Sequence, residues 1–304
     1  MADAPHDARA LLAAGDPAAA LKALQRQVRA NAADVKLRIF LFQLLCVLGQ
    51  WPRALDQLKV CAELDAGTLA MVNTYRAAIH CESVRDAVFA GQQTPHVFGP
   101  PTVWAAQLAQ ALQLEAQGHA TQAAAARSHA FEAADTTAGQ WQTTDEVGAA
   151  ETNGLAGQRP SSRDAASGGS EHPERGGTPF QWIADADSRL GPVLEVIVNG
   201  RYGWLPFMHL RSIEIEPVTD LRDLVWAPAQ LELTNGGGTV ALLPVRYAGS
   251  TQDATSAVLM SRQTEWLGLP SGDQFRGLGQ RVLSTDAAEH GLLTLRRISF
   301  DAAA

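Results

Sequence analysis

Three carboxylates close together in the chain, Asp185, Asp187 and Glu195, are the side chains best placed to do chemistry. A set of this kind can share acid and base work or hold a divalent cation. However, Asp185-Ala-Asp187 lacks the further ligands and the glycine of an EF-hand loop. The simpler reading is N-capping of a helix after Ser188 together with an ion pair to Arg189. A metal-dependent hydrolase using the three carboxylates is the enzymatic alternative. Asp220, Arg222 and Asp223 form a second charged group, expected on a solvated helical turn. Gly277-Leu-Gly279 starts like a dinucleotide fingerprint, but Val282 stands where the third glycine belongs and no parallel βαβ pattern surrounds it.

The remaining candidates are dispersed. His80 and Cys81 are adjacent, so they point in different directions on a helix. His209 and His290 have no Cys, Asp or Glu at ligand spacing, and Ser250 lacks the following glycine of a nucleophile elbow. No phosphate-binding loop, HExxH or CxxC occurs. No cofactor is expected, and nothing demands catalysis.

The elements that must carry these residues divide in two. Gly15-Asp16-Pro17 is followed by Ala20, Leu21, Leu24 and Val28. Gly49-Gln50-Trp51 is followed at the same offsets by Ala54, Leu55, Leu58 and Ala62, a shift of 34 residues. That is the period of tetratricopeptide-type (TPR) helical hairpins. A third copy starts at Gly118 with Ala123 and Ala124. Between the first two copies, Val35 to Leu48 is apolar nearly all round, as a helix buried between neighbours must be. Further helices are expected at 68–90 and 102–117, and residues 1–134 read as about seven helices in an αα superhelix. Such a superhelix has a concave face able to hold an amphipathic partner helix, for which Phe40, Phe42, Trp51, Tyr75 and Trp104 are the candidate contacts.

Residues 135–178 are rich in Gly, Ser, Thr, Gln and Ala, with few large apolar groups, and read as a flexible linker. Beyond it, Tyr202 to Phe207, Ser212 to Glu216, Gln230 to Thr234 and Thr239 to Leu243 alternate as short strands, with Asn235-Gly236-Gly237-Gly238 as a hairpin turn. Val193 to Val198 fits either a helix end or a strand. The expected fold is therefore multidomain: a TPR-like superhelix at 1–134, the linker, and a small α+β domain with a bent antiparallel sheet at 179–304.

Charge and composition narrow the function. Hydrophobic residues make up 46% of the 304 and the formal net charge is −8, so a core can form but a basic face for nucleic acid or an anionic membrane is disfavoured. The longest apolar stretch, Ile39 to Leu48, is interrupted by Gln43 and far shorter than the roughly 20 residues that span a bilayer. The start, Met1-Ala-Asp-Ala-Pro-His-Asp, has neither the basic nor the apolar region of a signal peptide. Cys46, Cys61 and Cys81 read as buried thiols in a reducing compartment. The expectation is a cytoplasmic protein without membrane insertion.

The blocks Phe40-Leu-Phe-Gln-Leu-Leu-Cys-Val-Leu-Gly-Gln-Trp51 and Ala54-Leu-Asp-Gln-Leu58 resemble the helical half of the ImpE/SciE/TagJ family of type VI secretion accessory proteins. So do Trp182 to Glu195, Asn199-Gly-Arg-Tyr202, Trp204-Leu-Pro206, Asp220 to Trp226 with Pro228-Ala229, and Gly279-Gln-Arg281. The linker is longer than the family's connection, and Ala248 follows the Arg-Tyr pair where the family tends to have proline. The resemblance implies a non-enzymatic adaptor: a TPR-like superhelix joined to an α+β domain, binding an N-terminal helix of the small contractile-sheath subunit. Through the sheath it implies a link to ClpV, the AAA+ ATPase that dismantles it. A general helical scaffold with another partner is the remaining alternative.

Overall fold

A computed structural model describes residues 7–144, 177–252 and 254–302. Seven helices fill the first part: α1 (Ala8–Ala13), α2 (Pro17–Ala30), α3 (Val35–Val47), α4 (Trp51–Leu64), α5 (Leu69–Phe89), α6 (Val103–Ala116) and α7 (Ala120–Ala133). The repeat has a local physical cause. At Gly15, Gly49 and Gly118 the backbone turns left-handed, with φ of +84°, +66° and +83°. Each glycine N–H bonds the carbonyl three residues back, and the next N–H reaches five back, as in Gly49 to Cys46 and Gln50 to Leu45. This Schellman closure ends α1, α3 and α6 and fixes the angle at which the next helix leaves. Asp16 and Asp34 cap α2 and α3 by accepting the N–H of Ala19 and Leu37.

The second part is built on an eight-stranded antiparallel sheet in the order β2-β1-β13-β6-β7-β8-β4-β5. Its strands are β1 (Gly139–Thr143), β2 (Thr178–Phe180), β4 (Val193–Val198), β5 (Arg201–Pro206), β6 (Leu210–Ile215), β7 (Trp226–Leu233), β8 (Gly238–Pro244) and β13 (Leu295–Phe300). A three-stranded sheet joins β3 (Ile183–Asp185) to β11 (Val282–Thr285) and β12 (Glu289–Gly291), and β9 (Thr264–Gly268) pairs with β10 (Phe275–Gly279). A short helix, α8 (Ser256–Leu259), and 3-10 turns at Phe207–His209, Leu221–Leu224 and Leu292–Thr294 lie among these strands.

The stretch expected to lack a core from residue 135 begins otherwise. Gly139–Thr143 is β1, paired with β13 and β2, and Trp141 is fully buried against Phe180 and His290. A single tryptophan between two glutamines is enough when alternate residues face the core. Most of the expected linker, 145–176, lies outside the described residues.

The two parts share a core. Val193 and Ile197 of β4, Tyr202 and Trp204 of β5, and Trp226 and Tyr247 belong to the same buried cluster as the helices. Leu194 and Val196 point the other way, into the sheet's own core with Leu205, Ile213 and Ile298. Burial on both faces explains why Val193 to Val198 shows no alternation. The outer edge of β5 is covered by the 96–98 segment, with Phe98 N–H donating to the Trp204 carbonyl and Trp204 N–H to that of His96.

Candidate functional site

Two of the three carboxylates singled out in the sequence, Asp185 and Glu195, meet in a buried network at the junction of the two parts. Glu195, midway along β4 on its helix-facing side, accepts two hydrogen bonds from Arg85 of α5, at 2.7 and 2.9 Å. It also accepts from the Tyr202 hydroxyl at 2.5 Å and from Arg281. Arg281 is completely buried; its other terminal nitrogen pairs with Asp185 and its Nε donates to the Pro244 carbonyl at 2.9 Å. The Tyr247 hydroxyl donates to Asp185 at 3.0 Å and accepts the Val282 N–H. Glu82 accepts the Trp226 indole N–H at 2.7 Å and lies beside Arg85. Charges removed from water this completely persist because each carboxylate oxygen has a guanidinium, hydroxyl or indole donor.

Electrostatics follow from that geometry. Burial works against ionising Glu195, yet Arg85 and Arg281 outweigh it and hold its carboxyl down to about 2. Burial pushes Asp185 up to about 6, against the pull of Arg281. Burial also raises Tyr202 and Tyr247 well above the usual phenol range, so both remain donors.

Asp187 does not join the other two carboxylates. It faces Arg189, with contacts of 2.5 and 2.9 Å, and accepts the N–H of Gly277. The expected ion pair to Arg189 is present, whereas the expected helix after Ser188 is a turn running into β4. Asp185 and Asp187 instead each accept the N–H two residues on, at 2.9 Å, which shapes that turn. Among the described residues no group of three or more His, Cys, Asp and Glu is arranged to hold a metal ion. The Asp220–Leu224 turn also departs from the solvated reading. Asp223 is buried in a capping box with Asp220, Gln43 of α3 donates to Asp220 at 3.1 Å, and Arg222 lies 4.6 Å over the Tyr75 ring.

Two arginines act on helix ends across the junction. Arg246 donates to the carbonyls of Val47 and Cys46 at the end of α3, at 2.5 and 3.2 Å, and Arg262 to that of Leu12 in α1 at 3.2 Å. A cation at a helix C-terminus meets both the unpaired carbonyls and the negative end of the dipole. Arg85, Arg246, Arg262 and Arg281 are not marked by local sequence spacing because these partners lie 37 to 250 positions away. Only Gly279-Gln-Arg281, inside a resemblance block, pointed to one of them.

The aromatic residues proposed to line a partner groove are placed differently from one another. Phe42, Tyr75 and Trp104 are buried. Phe42 packs on Tyr75, and Tyr75 and Trp51 pack on Trp226, with ring centroids 5.6 to 5.9 Å apart. The helical face that these residues share is thus covered by the chain's own β7 and the preceding turn. Trp51 remains partly accessible there, and Phe40 stands apart in a cleft of about 380 Å³ beneath Arg9. Cys46, Cys61 and Cys81 are buried free thiols.

The structure defines a helical-hairpin repeat protein whose inner face is closed by a β part of the same chain. An ImpE protein family model matches residues 177–299. Over 296 residues the chain is 49% identical to the type VI secretion system accessory component TagJ of Pseudomonas aeruginosa, covering 97% of this chain and 91% of that one. The chain belongs to this ImpE/TagJ family of type VI secretion accessory components. Its fold is also that of a Vibrio parahaemolyticus protein solved by X-ray crystallography, with a TM-score of 0.78 over 97% of this chain and 98% of that one at 19% identity. No helix among the described residues is long and apolar enough to cross a membrane.

Proposed function

We propose that the protein is a non-enzymatic adaptor that binds an N-terminal helix of the small contractile-sheath subunit, and through the sheath tunes its disassembly by ClpV. The observation that carries the reading is membership of the family together with a helical-repeat fold that leaves apolar surface open. Phe131 and Trp182 are 36% and 41% exposed, and Phe40 lines a separate open cleft. Amphipathic helices bind such surfaces through side chains one turn apart. Chemistry by Asp185, Asp187 and Glu195 is disfavoured because arginines already engage all three. A catalytic carboxylate needs free lone pairs directed at a substrate.

The test is co-expression of the tagged full chain with the cognate small sheath subunit, intact or lacking its N-terminal helix. Co-purification of the intact subunit alone is expected. Equal recovery of both forms, or of neither, would refute the reading.

A further inference from the structure

The C-terminal end of α7 opens into a cleft of about 480 Å³ against β3 and the turn that follows it. The walls are mainly apolar, with Phe131 on one side and Trp182 on the other. Among the described residues no Lys, Arg or His lines the cleft; the charged ones that do are Asp185, engaged by Arg281, and exposed Asp135. Gly191 keeps the shape, since a Cβ there would lie 2.3 Å from the Phe131 ring.

A second observation bears on the ligand. In α1 to α6 and in α8, the residue after the helix returns its N–H to a carbonyl of the last turn. At α7 the cap residue Ala134 is extended, with ψ of 138°, and returns none. The last carbonyls of α7 and Asp135 therefore concentrate negative potential at the mouth of an apolar cleft. Elsewhere in the molecule that chemistry is completed by arginine: Arg246 serves the end of α3, and Arg262 that of α1.

We propose that this cleft docks a basic amphipathic helix of a partner protein, with apolar side chains between Phe131 and Trp182 and a Lys or Arg on the α7 carbonyls and Asp135. The proposal rests on the partner-helix reading above and supplies its location and charge.

The test titrates the full chain with two labelled peptides of about 18 residues, five helical turns long. Both carry the same leucine stripe, one flanked by arginine and the other by glutamate. Asp135→Lys and Trp182→Ala change exposed side chains, and their melting curves check that they fold. The arginine peptide is expected to bind at least about 10-fold tighter than its twin, and each variant to weaken it about 10-fold. Equal binding of the twins, or unchanged binding by both variants, overturns the proposal. Self-association abolished by Trp182→Ala would assign the cleft to a second copy and also overturn it. The parent reading is separable: if the sheath peptide fails to bind while the arginine peptide binds in the cleft, only the sheath assignment falls. If the sheath peptide binds wild type and both variants alike, only the cleft assignment falls.

Discussion

The ends of α3 and α7 present the same chemistry in two states of completion. At α3, Gly49 turns the chain, its N–H and that of Gln50 return to the helix, and Arg246 donates from across the junction to the Val47 carbonyl and to that of Cys46, which Gly49 also reaches. At α7, Ala134 leaves extended, no N–H returns, and an aromatic-walled cleft stands open beside Asp135. One end is finished inside the molecule and the other offers its unpaired groups outward. Buried polar groups must find partners within the fold, and the α3 end, packed at the junction, has done so where the exposed end of α7 has not.

That difference can be broken at the junction first. Glu195→Ala leaves Arg85 and Arg281 buried without their shared carboxylate, and the expected loss is about 3–5 kcal/mol in urea unfolding. Binding at the α7 cleft would be abolished only through unfolding. A loss below about 1 kcal/mol would mean that the network is not the strut described.

Acid should separate the two buried carboxylates. Glu195 titrates near 4.5 in the unfolded chain and about 2 when folded, so its stabilisation is present above 4.5 and lost as the pH falls toward 2. The loss is about 3 kcal/mol. Asp185, raised from 3.8 to about 6, acts in the opposite sense: its contribution is present below 3.8 and lost as the pH rises through 6. Urea midpoints measured across this range should fall steeply below pH 4 in wild type, and Glu195→Gln should flatten that limb. Asp185→Asn should alter the slope only between about 4 and 6.

Smaller effects are expected on the cleft side. Gly191→Ala places a Cβ against the Phe131 ring at a backbone φ of +57°, and about 1–2 kcal/mol should be lost while Phe131 is displaced. Partner binding should fall more than stability does. Exposed pairs set the lower limit: Arg297→Ala, removing a 3.4 Å contact to Glu214 on the sheet's outer surface, should change the free energy of urea unfolding by less than about 0.5 kcal/mol.

The helical part was largely legible because its signals are local. Glycines at Gly15, Gly49 and Gly118 end helices by their own backbone preference, and the apolar spacing of α3 records burial on all sides. In the second part, β6 and β8 alternate and were readable, but β4 hides its strand character by being buried on both faces. The strands from Thr264 onward had no clear period. Trp141 illustrates the limit of composition, since a segment poor in apolar residues still contributed a strand through one side chain.

The junction was hardest to foresee. Asp185, Asp187 and Glu195 were visible as carboxylates, but their partners were visible only for Asp187, two residues from Arg189. Arg85 lies 110 positions from Glu195 and Arg281 lies 86, distances at which no periodicity couples residues. The blocks carrying the family resemblance nevertheless include Glu195, Tyr202, Trp204, Trp226 and Arg281, all of which meet there. The candidate groove aromatics are covered in part from within the chain for a related reason. Phe42 and Tyr75 do line a helical face, and the chain's own Trp226 region fills it.

Binding of a sheath-subunit helix by this chain is decided by calorimetric titration of the cognate N-terminal peptide into the full protein. Saturable one-to-one binding in the micromolar range is expected, weakened about 10-fold by Trp182→Ala. Absence of binding at high micromolar peptide, with the protein folded, would contradict it.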